Sequence, residues 1–150
     1  MPQSLAQVYL HLTYSTAGRR AWLSPEFRPE LFAYKAAILK EFESPAVIVG
    51  GVEDHVHVLF ALSRNHAIKA VVQGLKVESS KCMKSRGVAF DDFQWQGGYA
   101  AFSVSVSNVD IVRRYIENQE THHAKQSFQD ELRALLRKHG VEYDERYLWD

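Results

Sequence analysis

His55 and His57 stand two positions apart in the apolar run His55-Val56-His57-Val58-Leu59-Phe60. In an extended strand that spacing puts both imidazoles on one side. So placed, they can hold one metal ion, each through one ring nitrogen. Further along, Tyr115-Ile116-Glu117-Asn118-Gln119 reads as helix, where residues four apart stack on one face, here a phenol and an amide. A cation and a phenol together are a means of cutting a phosphodiester without water. Each pattern alone also has an ordinary reading: strand histidines are commonly hydrogen-bonded surface groups, and helical tyrosines are commonly part of a core. The stripe of Ile111, Tyr115, Gln119 and His122 nevertheless lies apart from the Val112 and Ile116 stripe. Packing does not need such a mixture of phenol, amide and imidazole.

Alternation and turn signals lay out the elements that must carry these groups. Gln7 to Thr16 alternates and is rich in β-formers, with Val8, Leu10, Leu12 and Tyr14 on one side and Tyr9 and His11 on the other. Ser24-Pro25 predicts a helix start, followed by Phe27, Leu31, Tyr34, Ile38 and Phe42 at helical spacing. Ala46 to Val52 and His55 to Leu62 read as an antiparallel pair joined at Glu53-Asp54. Asn65 is expected to cap a helix with the stripe Ile68, Val71, Val72, Leu75, Cys82 and Met83. Tyr99 to Ser105 is a fourth strand, Asn108 caps the tyrosine helix, and Ser127 with Asp130 caps a last helix ending at Gly140.

The order predicts an α+β fold: a ferredoxin-like β-α-β-β-α-β antiparallel sheet with two additional C-terminal helices. One domain spanning 1–150 is expected. Val56, Val58 and Phe60 then pack under the two helices, and the histidines belong to the opposite, uncovered sheet face.

Composition narrows the class. Hydrophobic residues make up 46% of the chain and charged residues 24%, the proportions of an ordinary globular protein. A single cysteine, Cys82, leaves no disulfide framework or cysteine zinc cluster and suits a reducing compartment. A soluble, cytoplasmic protein with no membrane association is expected. Net charge is zero, which argues against coating nucleic acid by bulk attraction. Between 64 and 86, however, Arg64, Lys69, Lys76, Lys81, Lys84 and Arg86 face only Glu78, so a local basic face can meet phosphates.

Taken in order, the motifs resemble the single-tyrosine HUH transposases of the insertion-sequence-200-like family, of which REP-associated tyrosine transposases are close relatives. The matching residues are Leu12-Thr13-Tyr14-Ser15-Thr16 with Arg19-Arg20, Asp54-His55-Val56-His57-Val58-Leu59, and Trp95-Gln96-Gly97-Gly98-Tyr99 with Phe102-Ser103-Val104-Ser105. Tyr115 to His123 and the tail Gly140 to Trp149 also match, so the similarity covers nearly the whole chain. One departure is Ala17, where family members often carry a basic residue; it bears on DNA contacts there, not on the chemistry.

The resemblance implies that His55, His57 and Gln119 hold Mg²⁺ or Mn²⁺, which polarises the scissile phosphate. Tyr115 then attacks phosphorus, giving a 5′-phosphotyrosine that a later 3′-hydroxyl resolves. It further implies single-stranded DNA with a hairpin at the element's end as substrate, and a homodimer in which the tyrosine helix serves either its own or its partner's histidines. Two imidazoles are unusual company for a hard cation, which prefers oxygen. Arg19, Arg20, Lys69 and Lys76 are the candidate phosphate contacts, while His122 and His123 are near enough to take the tyrosine's proton. Two competitors remain. A domesticated relative would bind or process repeated hairpins without mobilising an element. A two-histidine phosphodiesterase would need a second His-x-Thr/Ser beside His11-Leu12-Thr13, and at His55 that motif is absent because His57 stands in place of the Thr or Ser.

Overall fold

The structure, a computed structural model, describes residues 2–150. Four strands, β1 (Tyr9–Ser15), β2 (Ala46–Gly51), β3 (His55–Ala61) and β4 (Ala100–Val104), form one antiparallel sheet in the order β2-β3-β1-β4. Helices α1 (Arg28–Glu41) and α2 (Ile68–Lys84) make the two crossovers, and α3 (Val109–Glu117), α4 (Gln119–Lys125) and α5 (Phe128–Lys138) follow β4. This is the ferredoxin-like order that alternation and turn spacing predict. No helix among the described residues is long and apolar enough to cross a membrane.

Period-two geometry sorts the strand residues into two layers. Leu10, Leu12 and Tyr14 of β1 and Val56, Val58 and Phe60 of β3 bury one face beneath Leu31 and Ile38 of α1 and Val72 and Leu75 of α2. Each such side chain contributes about 1.5–3 kcal/mol when fully buried. Lys35 lies within this apolar layer with no exposed surface. Its amine donates to the Tyr14 hydroxyl, lies 3.4 Å from Ser79 Oγ and sits 4.3 Å from the Trp95 ring, so its partners are hydroxyls and rings. Burial, reinforced by nearby Lys76, holds its pKa well below the ordinary lysine range.

The unfolded chain therefore binds a proton that folded Lys35 gives up, and stability rises with pH towards the free lysine value of roughly 10.4. Replacing Lys35 alone would orphan the Tyr14 hydroxyl, so both partners must go together. The double variant Lys35→Met, Tyr14→Phe is expected to be more stable than wild type by about 1–3 kcal/mol at pH 7. That advantage should shrink towards pH 10, as urea unfolding at the two pH values would report.

The second sheet face is not bare, which corrects the expectation that the histidines lie uncovered. Phe128, Leu132 and Leu136 of α5 close over Phe102 of β4, and α3 lies against β2 and β3. An amphipathic α5 needs an apolar surface, and the Phe102 side of β4 supplies one next to the histidine strand. His55 and His57 are consequently buried, at 1% and 0% exposure.

Element ends also differ from expectation. Pro29, not Pro25, occupies the first turn of α1, while Pro25 to Phe27 form a preceding turn. Asn65 does not cap α2; its amide donates to Glu43 Oε2 at 2.9 Å, and the helix starts at Ile68 after Ala67. The tyrosine helix breaks at Asn118 into α3 and α4. Hydrogen bonds of 3.1 Å from Asn118 N to Arg114 O and from His122 N to Asn118 O carry the chain across the break. Tyr115 and Gln119 therefore still face the same way.

Candidate active site

Strand β3 delivers His55 and His57 to the face that α3, α4 and α5 cover. Thr13 and Ser15 of β1 pair with them in register, so His11, two residues earlier, reaches the same side. Nδ1 of His55 donates to Asp54 Oδ1 at 2.7 Å, and Nδ1 of His57 lies 2.8 Å from Nε2 of His11. With both Nδ1 atoms engaged outward, both Nε2 atoms turn towards one point. There Gln119 Oε1 lies 3.1 Å from His55 Nε2, and Glu131 Oε1 lies 3.3 Å from His55 Nε2 and 2.8 Å from His57 Nε2. The Tyr115 hydroxyl donates to the other Glu131 oxygen, and Gln119 Nε2 donates to it at 3.2 Å. All these groups come from one chain.

Local packing explains why α3 can bring its tyrosine so close. A Cβ at Gly50 of β2 would meet Ile116 Cγ2 at 2.7 Å and Ile116 O at 3.1 Å, so only glycine lets the helix rest on the strand there. The Tyr115 ring lies tilted against His122 at 4.5 Å and meets His57 edge-on at 5.9 Å. On α5, Ser127 Oγ accepts from Asp130 N at 3.2 Å and fixes the helix start, one turn before Glu131.

Burial and charge set the protonation pattern. Burial alone would lower the pKa of His55, but hydrogen bonds to Asp54 and Glu131 outweigh it and raise the pKa to about 9. His57 is lowered by burial despite Glu131, and His11 is lowered to about 3 by burial and by His57. Burial would push Glu131 up, yet the two imidazoles hold its carboxyl far below the usual range. Burial and then the Glu131 charge push the Tyr115 phenol well above its ordinary value. At neutral pH the pocket thus holds a carboxylate, an imidazolium and a protonated phenol.

This donor set fits a divalent ion. One ring nitrogen each of His55 and His57 and a Glu131 oxygen lie within 4.8 Å of one another, and Gln119 Oε1 adjoins His55 Nε2 at 3.1 Å. Outward hydrogen bonds on both ligand rings are the usual means of fixing tautomer and orientation.

Glu131 was invisible to motif reasoning. Its signal was a charged residue between Phe128 and Leu135 on the apolar stripe of the last helix. Alternation places His11 on the face away from the core, but the one chemical motif it suggests is half of an incomplete phosphodiesterase pair. His123 Nε2 pairs with Glu53 at 2.8 Å, while its buried Nδ1 has no partner.

The expected phosphate contacts are more dispersed. Arg19 and Arg20 follow β1 on a turn hung from Asp54 by the 2.9 Å bond of Thr16 N to Asp54 O. Arg19 lies over the Trp149 ring at 5.6 Å and Arg20 over the Trp22 ring at 4.1 Å. Lys69 and Lys76 are on α2, across the sheet from the imidazoles. Lys69 is exposed, whereas the Lys76 amine donates to the carbonyls of Gln96, Gly97 and Gly98 at 2.8, 3.2 and 2.7 Å. An apolar cleft of about 460 Å³ between β4, α3 and α5 leads to Tyr115 and Glu131 past His11, Asn108 and Lys138.

Comparison with known proteins identifies the family and the fold. The family described as "Transposase IS200 like" matches residues 4–119. Among solved structures, a Deinococcus radiodurans R1 protein assigned as a transposase superimposes with a TM-score of 0.62 at 24% identity, covering 79% of this chain and 98% of its own. A REP-associated tyrosine transposase bound to a REP hairpin gives a TM-score of 0.56 at 10% identity, covering 85% of this chain and 74% of its own. No curated protein matches the chain.

Proposed function

Because this chain belongs to the IS200-like transposase family, we propose that it is a metal-dependent DNA strand transferase with Tyr115 as nucleophile. The observation that carries this reading is the meeting of the Tyr115 hydroxyl, both histidine Nε2 atoms and Gln119 in one pocket. His55, His57 and Gln119 hold Mg²⁺ or Mn²⁺. When bound, the ion supplies Lewis-acid polarisation of a non-bridging phosphate oxygen and favours the phenolate.

The residues of the chain then have separate tasks. Tyr115 attacks phosphorus; the bond from phosphorus to the 3′ oxygen breaks, leaving a 5′-phosphotyrosine and a free 3′-hydroxyl. A 3′-hydroxyl attacking that linkage rejoins the strand and restores the phenol, so no external energy source is consumed. His11 and Asp54 hold the two imidazoles in place through their Nδ1 atoms. The ring contacts of Tyr115 with His122 and His57 keep the hydroxyl oriented.

The substrate is single-stranded DNA with a hairpin at the element's end, a reading supported by the hairpin held by the REP-associated relative. Arg19, Arg20 and the exposed Lys69 contact its phosphates, whereas the Lys76 amine is already engaged by the carbonyls of Gln96, Gly97 and Gly98. The chain, a single domain over 1–150, acts in the cytoplasm as a homodimer, with the free edge of β4 available for pairing. Incubation with a labelled single strand carrying the element end, in Mn²⁺, is expected to give a covalent protein–DNA adduct that survives denaturing electrophoresis. Cleavage with no adduct would instead mean that water is the nucleophile.

A further inference from the structure

We propose that Glu131 is a fourth protein ligand of the metal. One of its oxygens joins the two histidine Nε2 atoms and Gln119, while the other holds the Tyr115 hydroxyl at the site. This rests on the metal-dependent reading above and extends it to a residue from α5.

Three observations converge on Glu131. Its Oε1 lies 2.8 and 3.3 Å from the two Nε2 atoms, the ring positions that Asp54 and His11 leave unused. A carboxylate exposed by only 4% among Phe128, Leu132 and Leu136 contributes nothing to an apolar seam and is costly there unless paired with positive charge. The third is the gathering of the donors themselves: ring nitrogens of His55 and His57 and a Glu131 oxygen all lie within 4.8 Å of one another.

Ligand chemistry points the same way. Mg²⁺ favours hard oxygen donors, and two imidazoles with a neutral amide offer it little. A carboxylate adds both the hard donor and the negative charge that make a His-His-Gln-Glu set suitable for Mg²⁺ or Mn²⁺. Glu131 also bridges ligands and nucleophile, since its second oxygen accepts from Tyr115 and from Gln119. The fixed first turn of α5, capped by Ser127, holds the carboxylate in place.

Mn²⁺ binding to the full chain without DNA, followed by electron paramagnetic resonance or calorimetry, tests the assignment. Glu131→Gln is expected to weaken binding by about 10–100-fold, whereas Tyr115→Phe should leave it within a few-fold. Tyr115→Phe removes the hydroxyl bonded to Glu131 but keeps the carboxylate, so it controls for the loss of that hydrogen bond. A fall in affinity therefore reports a lost ligand. Circular dichroism verifies that the variant folds. Should it not fold, the anomalous peak of a Mn²⁺-soaked wild-type crystal must lie within bonding distance of a Glu131 oxygen. Unchanged or tighter binding by Glu131→Gln, or an anomalous peak remote from Glu131, overturns the proposal while leaving the transferase reading intact. Wild type that neither binds Mn²⁺ nor forms the DNA adduct overturns both.

Discussion

Tyr115→Phe is expected to abolish the covalent protein–DNA adduct while leaving the fold and the metal site in place. Phenylalanine keeps the ring that lies tilted against His122 and abuts His57, so the packing of α3 is preserved. Only the hydroxyl bonded to Glu131 is lost, and Glu131 keeps its bonds to His57 and Gln119. The stability cost should be about 1.5–3 kcal/mol, that of one hydrogen bond to a charged group. Without the oxygen no ester to phosphorus can form, so the adduct band should disappear rather than weaken. Gel mobility of a labelled oligonucleotide reads the first outcome and thermal unfolding the second. An adduct that persists would place the nucleophile elsewhere.

Metal uptake should release a proton, and affinity should climb steeply with pH. His55 binds an ion only as the neutral ring, yet the metal-free protein holds it as imidazolium up to about 9. The proton thus competes with the ion: below that pKa the metal must displace it, and above it nothing need be displaced. Apparent Mn²⁺ affinity is expected to rise about tenfold per pH unit between pH 7 and 9 and then level off. Calorimetry at pH 7 in buffers of different ionisation enthalpy should count close to one proton released per ion. An affinity independent of pH in that window would overturn the competition between proton and ion at His55.

Much of this architecture was legible because it rests on local periodicity. Alternation in Gln7–Thr16 and His55–Leu62 separates the core residues Leu10, Leu12, Val56 and Val58 from His11, His55 and His57. Helical spacing likewise unites Tyr115 with Gln119, and it survives the break at Asn118 because hydrogen bonds span that residue. What failed depends on tertiary contact. Whether α5 closes the second face is decided by Phe128, Leu132 and Leu136 finding Phe102, residues far apart in sequence. Glu131 escaped notice for the same reason: its partners are two strand histidines and two residues from earlier helical segments. Asn65 misled because its side chain had a better acceptor in Glu43 than in the first turn of α2.

Gly50 has a bearing on precision. Because Ile116 abuts the main chain of β2 itself through its Cγ2 methyl and its carbonyl, the height of the tyrosine-bearing helix above the sheet is gauged against bare strand backbone. Main-chain surfaces do not hop between rotamers, so the setting holds steady where bulky side chains between the two elements would let it drift. A missing methyl group thereby acts as the mechanical datum for the reactive oxygen.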